Sequence, residues 1–184
     1  MILLTAALIV AQAAASPSPS PSPPGPVATV ETSMGRIRIA LDQEKAPISV
    51  ANFAKYARAG HYAGTVFHRV MPNFMIQGGD PNTKDKAAPR GRHGSGGPGY
   101  SIPAEFNDTP HKRGILSMAR SSDPNSAGSQ FFICVADAPS LDRKYTAFGR
   151  VLRGMDAADK IVSSPRDGND NPNERIDMKV RVAS

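Results

Sequence analysis

From residue 27 onward, apolar and polar positions alternate along much of the chain, which is typical of β-strands. The runs from Val27 to Thr32 and from Arg36 to Leu41 are separated by a short turn around Gly35, so they predict a β-hairpin. In the second run, Ile39 is expected to face the core and Ala40 to face outward. The hairpin indicates that the folded part of the chain begins at residue 27.

Two stretches follow a helical period instead. After Pro47, which suits a first helical position, apolar residues recur at spacings of three and four up to a natural stop at Gly60. A second helix is expected from Gly154 to Val162. Two further strand-like runs flank a break at 71–73 within the stretch 67–80, and others are 114–119, 130–135, 145–152 and 176–182. Many strands with two helices predict a mainly β fold, a closed antiparallel barrel of about eight strands capped by two α-helices.

The stretch from Phe67 to Asp80 carries the most unusual combination of side chains. Two strand-like runs flank a break at Pro72. By alternation, Phe67 and Arg69 point the same way, and pairing of the two runs would bring Arg69 beside Met75 and Gln77. The stretch has no nucleophile with its own base, no metal-ligand spacing and no phosphate-binding loop. It suits a site that binds an apolar, amide-like group and offers it one fixed cation.

This stretch resembles the signature of the cyclophilins, which are peptidyl-prolyl cis-trans isomerases. The resemblance extends over about residues 27 to 183 and rests on matches in the family's order. The other matching segments are 114–119, 128–133 and 148–151. The resemblance implies the same barrel fold and an isomerase that needs no cofactor and no metal.

The resemblance also implies a role for particular residues. Arg69 would be the catalytic arginine, assisted by Gln77. The substrate-binding residues would form a proline pocket and a peptide groove, with His68 at the groove's edge and backbone groups near Arg120 holding the peptide. These substrate-binding residues are His68, Phe74, Met75, Ala119, Arg120, Gln130, Phe132, Leu141 and Tyr145.

Two positions depart from the family pattern. Ser140 stands where the family often carries a tryptophan that contacts cyclosporin, and the chain has no tryptophan. Tyr145 stands where many relatives have histidine, and its ring can still close the pocket. We therefore expect weak cyclosporin binding with turnover retained.

Composition adds little to this picture. The net charge is +6, but there is no recognition helix, dense basic run or aromatic stacking series, so we expect no nucleic-acid partner. The basic stretch from Lys84 to His93 is expected to be a surface loop near the groove rim that favours acidic residues beside the target proline. Cys134 is the single cysteine and lies in an apolar run, which indicates a buried, unreactive thiol.

The first 26 residues differ in kind from the rest. Residues 2–15 are almost wholly apolar and too short to span a bilayer, and they end in the small-x-small cleavage sites 11–13 and 13–15, as in a secretory signal peptide. The Lys or Arg that usually comes before the apolar run of such a peptide is missing. Residues 16–26 are a Ser/Pro-rich linker, and 27–184 would be the isomerase domain. We expect an exported, periplasmic monomer without stable membrane insertion after signal removal; an uncleaved membrane tether is the alternative.

Three functions are compatible with these observations to different degrees. The first is an exported isomerase acting on proline-containing segments of unfolded or folding proteins. The second is a proline-binding chaperone or scaffold with little turnover, which could dispense with Arg69. The third is a hydrolase using Ser129 or His68, which lacks the spacing of a nucleophile, a base and an orienting group. Retention of Arg69 and Gln77 favours the first.

Overall fold

A computed structural model describes residues 25–183 of the chain. Eight strands form a closed barrel in the order β1-β2-β7-β5-β6-β4-β3-β8. The strands are β1 Val27–Thr32, β2 Gly35–Leu41, β3 Thr65–Met71, β4 Met75–Gly78, β5 Ile115–Met118, β6 Phe131–Cys134, β7 Ala147–Arg153 and β8 Asp177–Ala183. Every neighbouring pair is antiparallel. The mainly β prediction of a closed, eight-stranded antiparallel barrel is confirmed.

Two α-helices complete the core. They are α1, Pro47–Arg58, and α2, Met155–Val162. Phe53 of α1 contacts an aromatic cluster inside the barrel, with ring centroids 5.4 Å from those of both Phe131 and Phe148. Ile161 of α2 is fully buried in the same cluster of apolar side chains. Both helices therefore bury the apolar face that their sequence period predicts.

Strand β2 has the predicted facing, but one of its outward positions is covered. Ile39 belongs to the barrel core, whereas Ala40 lies outside that core and is still only 2 % exposed. Ala40 lies beside Thr109 and Arg150 at a small cavity outside the barrel wall. Chain segments from outside the strand cover this position, and strand alternation alone carries no information about them.

The N-terminal predictions fall largely outside the described residues. The signal peptide at 1–15 and all of the 16–26 linker except Gly25 and Pro26 are in this category. Just before β1, the carbonyl of Pro26 accepts a hydrogen bond from the backbone N–H of Leu41 at 3.0 Å. No helix between residues 25 and 183 is both long enough and apolar enough to cross a membrane.

Candidate active site

Arg69 is placed by an irregularity in the β3–β4 hairpin. The register shifts between Phe67, which pairs with Gly78, and Arg69, which pairs with Gln77, so that His68 is an extra residue on β3. Such a bulge changes the direction of the side chains that follow it. Phe67 is consequently buried in the barrel core while Arg69 is exposed. The prediction that these two residues share a face is wrong for this reason.

Arg69 lies at a cavity of about 140 Å³ on the outside of the barrel. Nine of the residues singled out in the sequence line this cavity. They are Arg69, Phe74, Met75, Gln77, Ala119, Arg120, Phe132, Leu141 and Tyr145. The β3–β4 hairpin, strand β6, the segment after β5 and the segment 141–145 supply them, so the cavity exists only in the folded barrel. Its volume suits a single five-membered ring rather than a large ligand.

The floor of the cavity is apolar and tightly held. Met75 pairs with Cys134 across β4 and β6, and Gln77 pairs with Phe132. Met75, Phe132 and Cys134 pack together in a cluster separate from the barrel core. Burial raises the pKa of the Cys134 thiol to about 12, so this side chain stays protonated and serves as packing.

The guanidinium of Arg69 is free to meet a ligand. Within residues 25–183 it forms no hydrogen bond or ion pair. The amide nitrogen of Gln77, its partner across the hairpin, instead donates to Oε1 of Gln130 at 2.9 Å. The cavity thus has one cation at its rim whose donors are unused, next to an apolar floor.

Gln130 connects this cavity to a second, more polar one. The second cavity measures about 420 Å³ and is lined by the glycine-rich segment 94–101 together with Gln77, Arg120 and Gln130 among others. The amide nitrogen of Gln130 donates to the carbonyl of Gly94 at 2.9 Å and to that of Gly96 at 2.7 Å. Gln77, Ala119 and Arg120 line both cavities, so the two adjoin and together form a groove on the outside of the barrel.

The buried carboxylate of Asp80 holds the other side of the same segment. Asp80 is 0 % exposed and accepts hydrogen bonds from the backbone N–H groups of Asn82, Gly94 and Gly96. Gly79 precedes it with φ +86°, and a Cβ there would lie 2.7 Å from the carbonyl oxygen of Ser129. Glycine at 79 therefore permits the close approach that brings Asp80 under the loop.

His68 does not reach either cavity. Its side chain is 4 % exposed and lies under Gly94, on the far side of the loop from the groove. Burial, opposed by the nearby Asp80 carboxylate, lowers the pKa of His68 to about 4. Neither ring nitrogen makes a hydrogen bond of normal geometry within the described chain. The structure therefore gives His68 a place in the packing beneath the loop, not at the groove's edge.

The basic stretch from Lys84 to His93 and the glycine-rich segment 94–101 that follows it lie at different cavities. The glycine-rich segment lines the groove, whereas Lys86, Arg90 and His93 line a separate cavity together with residues 171, 172, 174 and 175. The Arg90 guanidinium donates to the carbonyl of Pro172 at 2.8 Å. None of the basic residues from Lys84 to His93 lines either cavity of the groove, near which the sequence suggested they would act.

A buried polar network lies behind Phe132, and the sequence does not predict it. Ring nitrogens of His111 lie 3.1 Å from Oδ1 of Asp142 and 3.0 Å from Oγ of Ser117. The order of groups is that of a hydrolase triad, but Ser117 is 0 % exposed and donates to the carbonyl of Thr146. His111 stacks on Phe132 with ring centroids 6.2 Å apart. The network supports the pocket wall from behind and exposes no nucleophile.

The hydrolase alternative receives no support from its proposed nucleophile either. Oγ of Ser129 is buried and donates to the carbonyl of Gly79 at 2.9 Å. Within the residues the structure describes, no three His, Cys, Asp or Glu side chains are grouped so as to hold a metal ion.

Comparison with known proteins agrees with this geometry. A sequence model of the family described as "Cyclophilin type peptidyl-prolyl cis-trans isomerase/CLD" matches residues 27–182. A peptidyl-prolyl cis-trans isomerase of Synechococcus elongatus is 46% identical over 142 residues, 77% of this chain and 90% of that protein. Peptidyl-prolyl cis-trans isomerase A of Dickeya dadantii is 44% identical over 158 residues, 82% of this chain and 78% of that protein.

The solved structures that resemble this one are also cyclophilins. A cyclophilin-type peptidyl-prolyl cis-trans isomerase from Cryptosporidium parvum, crystallised in the presence of the dipeptide Ala-Pro, superposes with a TM-score of 0.76 at 31% identity. The match covers 86% of this chain and 99% of that one. A cyclophilin from Hirschia baltica matches with a TM-score of 0.70 at 28% identity, over 84% of this chain and 72% of its own.

Proposed function

The chain belongs to the cyclophilin-type peptidyl-prolyl cis-trans isomerases, and from this premise we propose that Arg69 is its catalytic group and that its substrates are X–Pro bonds of exported proteins. The observation that supports the first part is the unused guanidinium of Arg69 beside an apolar cavity of about 140 Å³. The second part rests on the signal-like sequence of residues 1–15.

The reaction requires rotation about a bond, not bond cleavage. Amide resonance sets a rotational barrier of about 18–20 kcal/mol. Uncatalysed exchange consequently takes about 10–100 s at 25 °C. The enzyme has to bind the twisted imide more tightly than either planar isomer. No nucleophile or cofactor is needed for that step.

Arg69 supplies the differential binding. Twisting the imide localises a lone pair on the prolyl nitrogen, and a guanidinium N–H can donate to it. A preorganised donor of this kind is typically worth about 3–4 kcal/mol in the transition state. Because Arg69 has no carboxylate partner among the described residues, its charge is not already neutralised when the substrate arrives.

The apolar floor has a complementary task. Met75, Phe132 and Leu141 would bind the proline ring, so that the preceding carbonyl is the part that turns. Because these side chains exclude water from the reacting bond, the electrostatic effect of Arg69 is stronger there than in bulk solvent.

The rest of the peptide would lie along the groove. Within the described chain, neither the backbone N–H nor the carbonyl of Arg120 has a backbone hydrogen-bond partner. Both groups are therefore available to an extended peptide. Gln77, Ala119 and Gln130 would contact it on the way towards the glycine-rich segment. Gln77 acts in this proposal through Gln130 and the groove rather than by holding Arg69.

Exchange measurements on a short Ala-Pro peptide test this function. Magnetisation-transfer NMR with the wild-type protein should show cis-trans exchange far above the uncatalysed rate. A protein that shifts the peptide resonances on binding but leaves the exchange rate unchanged would be a proline-binding scaffold instead.

Export is tested separately. The full chain is expressed in a bacterial host, and the N-terminus of the protein recovered from the periplasm is sequenced. A mature N-terminus within residues 12–16 would support export with signal removal. Retention of Met1 in the cytoplasm would contradict it, and Met1 in the membrane fraction would indicate the tether.

A further inference from the structure

Arg120 lies between the two cavities but does not offer its charge to either. Its side chain makes four hydrogen bonds to backbone carbonyls: Nε and Nη2 donate to Lys144 at 3.2 and 2.9 Å, and Nη1 donates to Ser121 at 2.8 Å and Ser122 at 3.3 Å. A guanidinium has five N–H donors, so most of its capacity is used within the protein. This is the opposite of the situation at Arg69.

The same guanidinium is stacked on the ring of Tyr145. The carbon at its centre lies 4.4 Å from the ring centroid, which is a close cation–π contact. Tyr145 in turn meets Phe132 edge to face, with centroids 5.8 Å apart and an interplanar angle of 80°. Arg120, Tyr145 and Phe132 thus form one continuous wall of the small cavity.

This wall extends the contact between two chain segments beyond the point where their backbone pairing ends, which is the hydrogen bond from the N–H of Met118 to the carbonyl of Thr146 at 3.0 Å. Lys144 and Tyr145 belong to the turn after Leu141, whose carbonyl accepts hydrogen bonds from the N–H groups of both residues. Arg120 follows β5 on the other side. By bonding to the carbonyl of Lys144, Arg120 fixes how far the Leu141–Tyr145 turn stands from Phe132.

We infer that Arg120 is a positioning residue that sets the width of the proline cavity by holding Tyr145 against Phe132. The inference rests on the proposed function of the same site and adds a determinant of ring-size selectivity to it. Arg120 acts on the substrate through Tyr145, and its side-chain charge is not the recognition element. Loss of the clamp widens the cavity and weakens retention of the proline ring in the ground and transition states alike.

A double-mutant cycle on Arg120 and Tyr145 tests this coupling. Arg120→Ala is expected to raise KM for an Ala-Pro peptide about three- to tenfold, with a smaller change in kcat. Arg120→Lys keeps the charge but lacks the planar fork, so it should not restore KM. Because Arg120 acts through Tyr145, the variant carrying both Arg120→Ala and Tyr145→Ala should lose no more than Tyr145→Ala alone.

Ring selectivity provides a readout that general destabilisation would not change. The substrates are the Ala-Pro peptide and its analogue with pipecolic acid, whose ring is one methylene larger. Arg120→Ala should reduce the preference for proline over pipecolic acid about threefold or more, since a methylene in a fitted pocket is worth a discrimination of this order. Arg143→Asn is the matched control: it removes a guanidinium from the same turn at a position with φ +58°, which asparagine tolerates.

The outcomes separate the inference from the function on which it rests. Equilibrium affinity for the unreacted peptide is measured alongside turnover, so a wild type that binds without catalysis would overturn the proposed function while the Arg120 variants still report on cavity width. Additive losses in the cycle, an unchanged ring preference, or full rescue by Arg120→Lys would overturn the inference. If Arg120→Ala does not fold, Arg120→Lys and Tyr145→Ala give the same comparison.

Discussion

Arg69 and Gln77 face each other across the β3–β4 hairpin, yet the amide nitrogen of Gln77 donates to Gln130 at 2.9 Å and leaves the guanidinium without a partner in residues 25–183. In the proposed mechanism the two residues therefore have different tasks. The Arg69 guanidinium would donate to the reacting bond, while Gln77 is part of a chain of hydrogen bonds that reaches the glycine-rich side of the groove.

Replacing Arg69 should remove catalysis while preserving the fold. Arg69→Ala is expected to lower kcat about 10²–10³-fold, because the donor to the twisted imide is lost. Arg69 is exposed and makes no side-chain contact that the barrel requires, so the free energy of unfolding should stay within about 0.5 kcal/mol of wild type. NMR exchange and urea unfolding measure the two effects.

Arg69→Lys is the informative companion variant. It keeps the charge but loses the planar fork, and we expect it to recover only a small part of the activity. Arg150→Ala removes another exposed guanidinium that lies outside both cavities of the groove and should leave turnover intact. Wild-type kcat in Arg69→Ala would remove Arg69 from the mechanism.

Loss of Gln130 should act on substrate binding. Gln130→Ala deletes the bonds to the carbonyls of Gly94 and Gly96 and leaves Gln77 without its acceptor. We expect KM for a peptide that fills the groove to rise about three- to tenfold, since each lost hydrogen bond is worth about 1 kcal/mol. A short Ala-Pro peptide would not extend to the glycine-rich segment, so its KM should change much less. Equal losses on short and long substrates would contradict this role.

The free energy of unfolding should fall as the pH is lowered from 6.5 towards 4. The pKa of folded His68 is about 4 because of burial, whereas an unfolded histidine titrates near 6.5. Between these values the unfolded chain binds a proton that the folded chain excludes, so acid favours unfolding. At pH 4.5 the loss due to His68 should be roughly 2–3 kcal/mol relative to neutral pH.

Urea unfolding of wild type and His68→Gln at several pH values checks this expectation. The variant should show a flatter dependence between pH 6.5 and 4.5. A residual slope of the same sign is expected from His111, whose pKa burial also lowers although Asp142 opposes the shift. Identical slopes in both proteins would show that His68 is not the titrating group.

Cyclosporin should inhibit this enzyme weakly. Ser140 lies in the short turn Pro139–Leu141 beside the proline cavity and supplies neither an aromatic wall nor an indole N–H. Ser140→Trp should tighten inhibition by cyclosporin. Turnover of Ala-Pro peptides should change little, because Leu141 and Tyr145 already line the cavity. Inhibition of the wild type at nanomolar concentrations would refute the prediction.

The sequence predicts the strands well because alternation is a local property. β1 has the bounds expected for it, and β8 is displaced by only one residue at each end. Alternation within the stretch 67–80 also brings Arg69, Met75 and Gln77 together, whereas the other residues that line the small cavity follow from the resemblance to the cyclophilins and not from periodicity. Their assembly into one cavity of nine residues follows from the barrel's strand order.

The errors arise where long-range pairing overrides local alternation. The bulge at His68 depends on the register between β3 and β4, and it separates Phe67 from Arg69 and buries the histidine. The contact between His111 and Asp142 joins residues 31 positions apart, with no spacing pattern that would reveal it. The burial of Asp80 likewise depends on loop residues 14 and 16 positions away.

Closure of the barrel has a consequence for how such an enzyme meets its clients. Each of the eight strands has a neighbour on both sides, so the sheet offers no open edge on which an unfolded chain could extend a growing β-aggregate. In the proposed binding mode, a client segment would pair with the short backbone at Arg120, outside the sheet, for a length of a few residues. An enzyme that binds its clients in this way would not act as a seed for their aggregation.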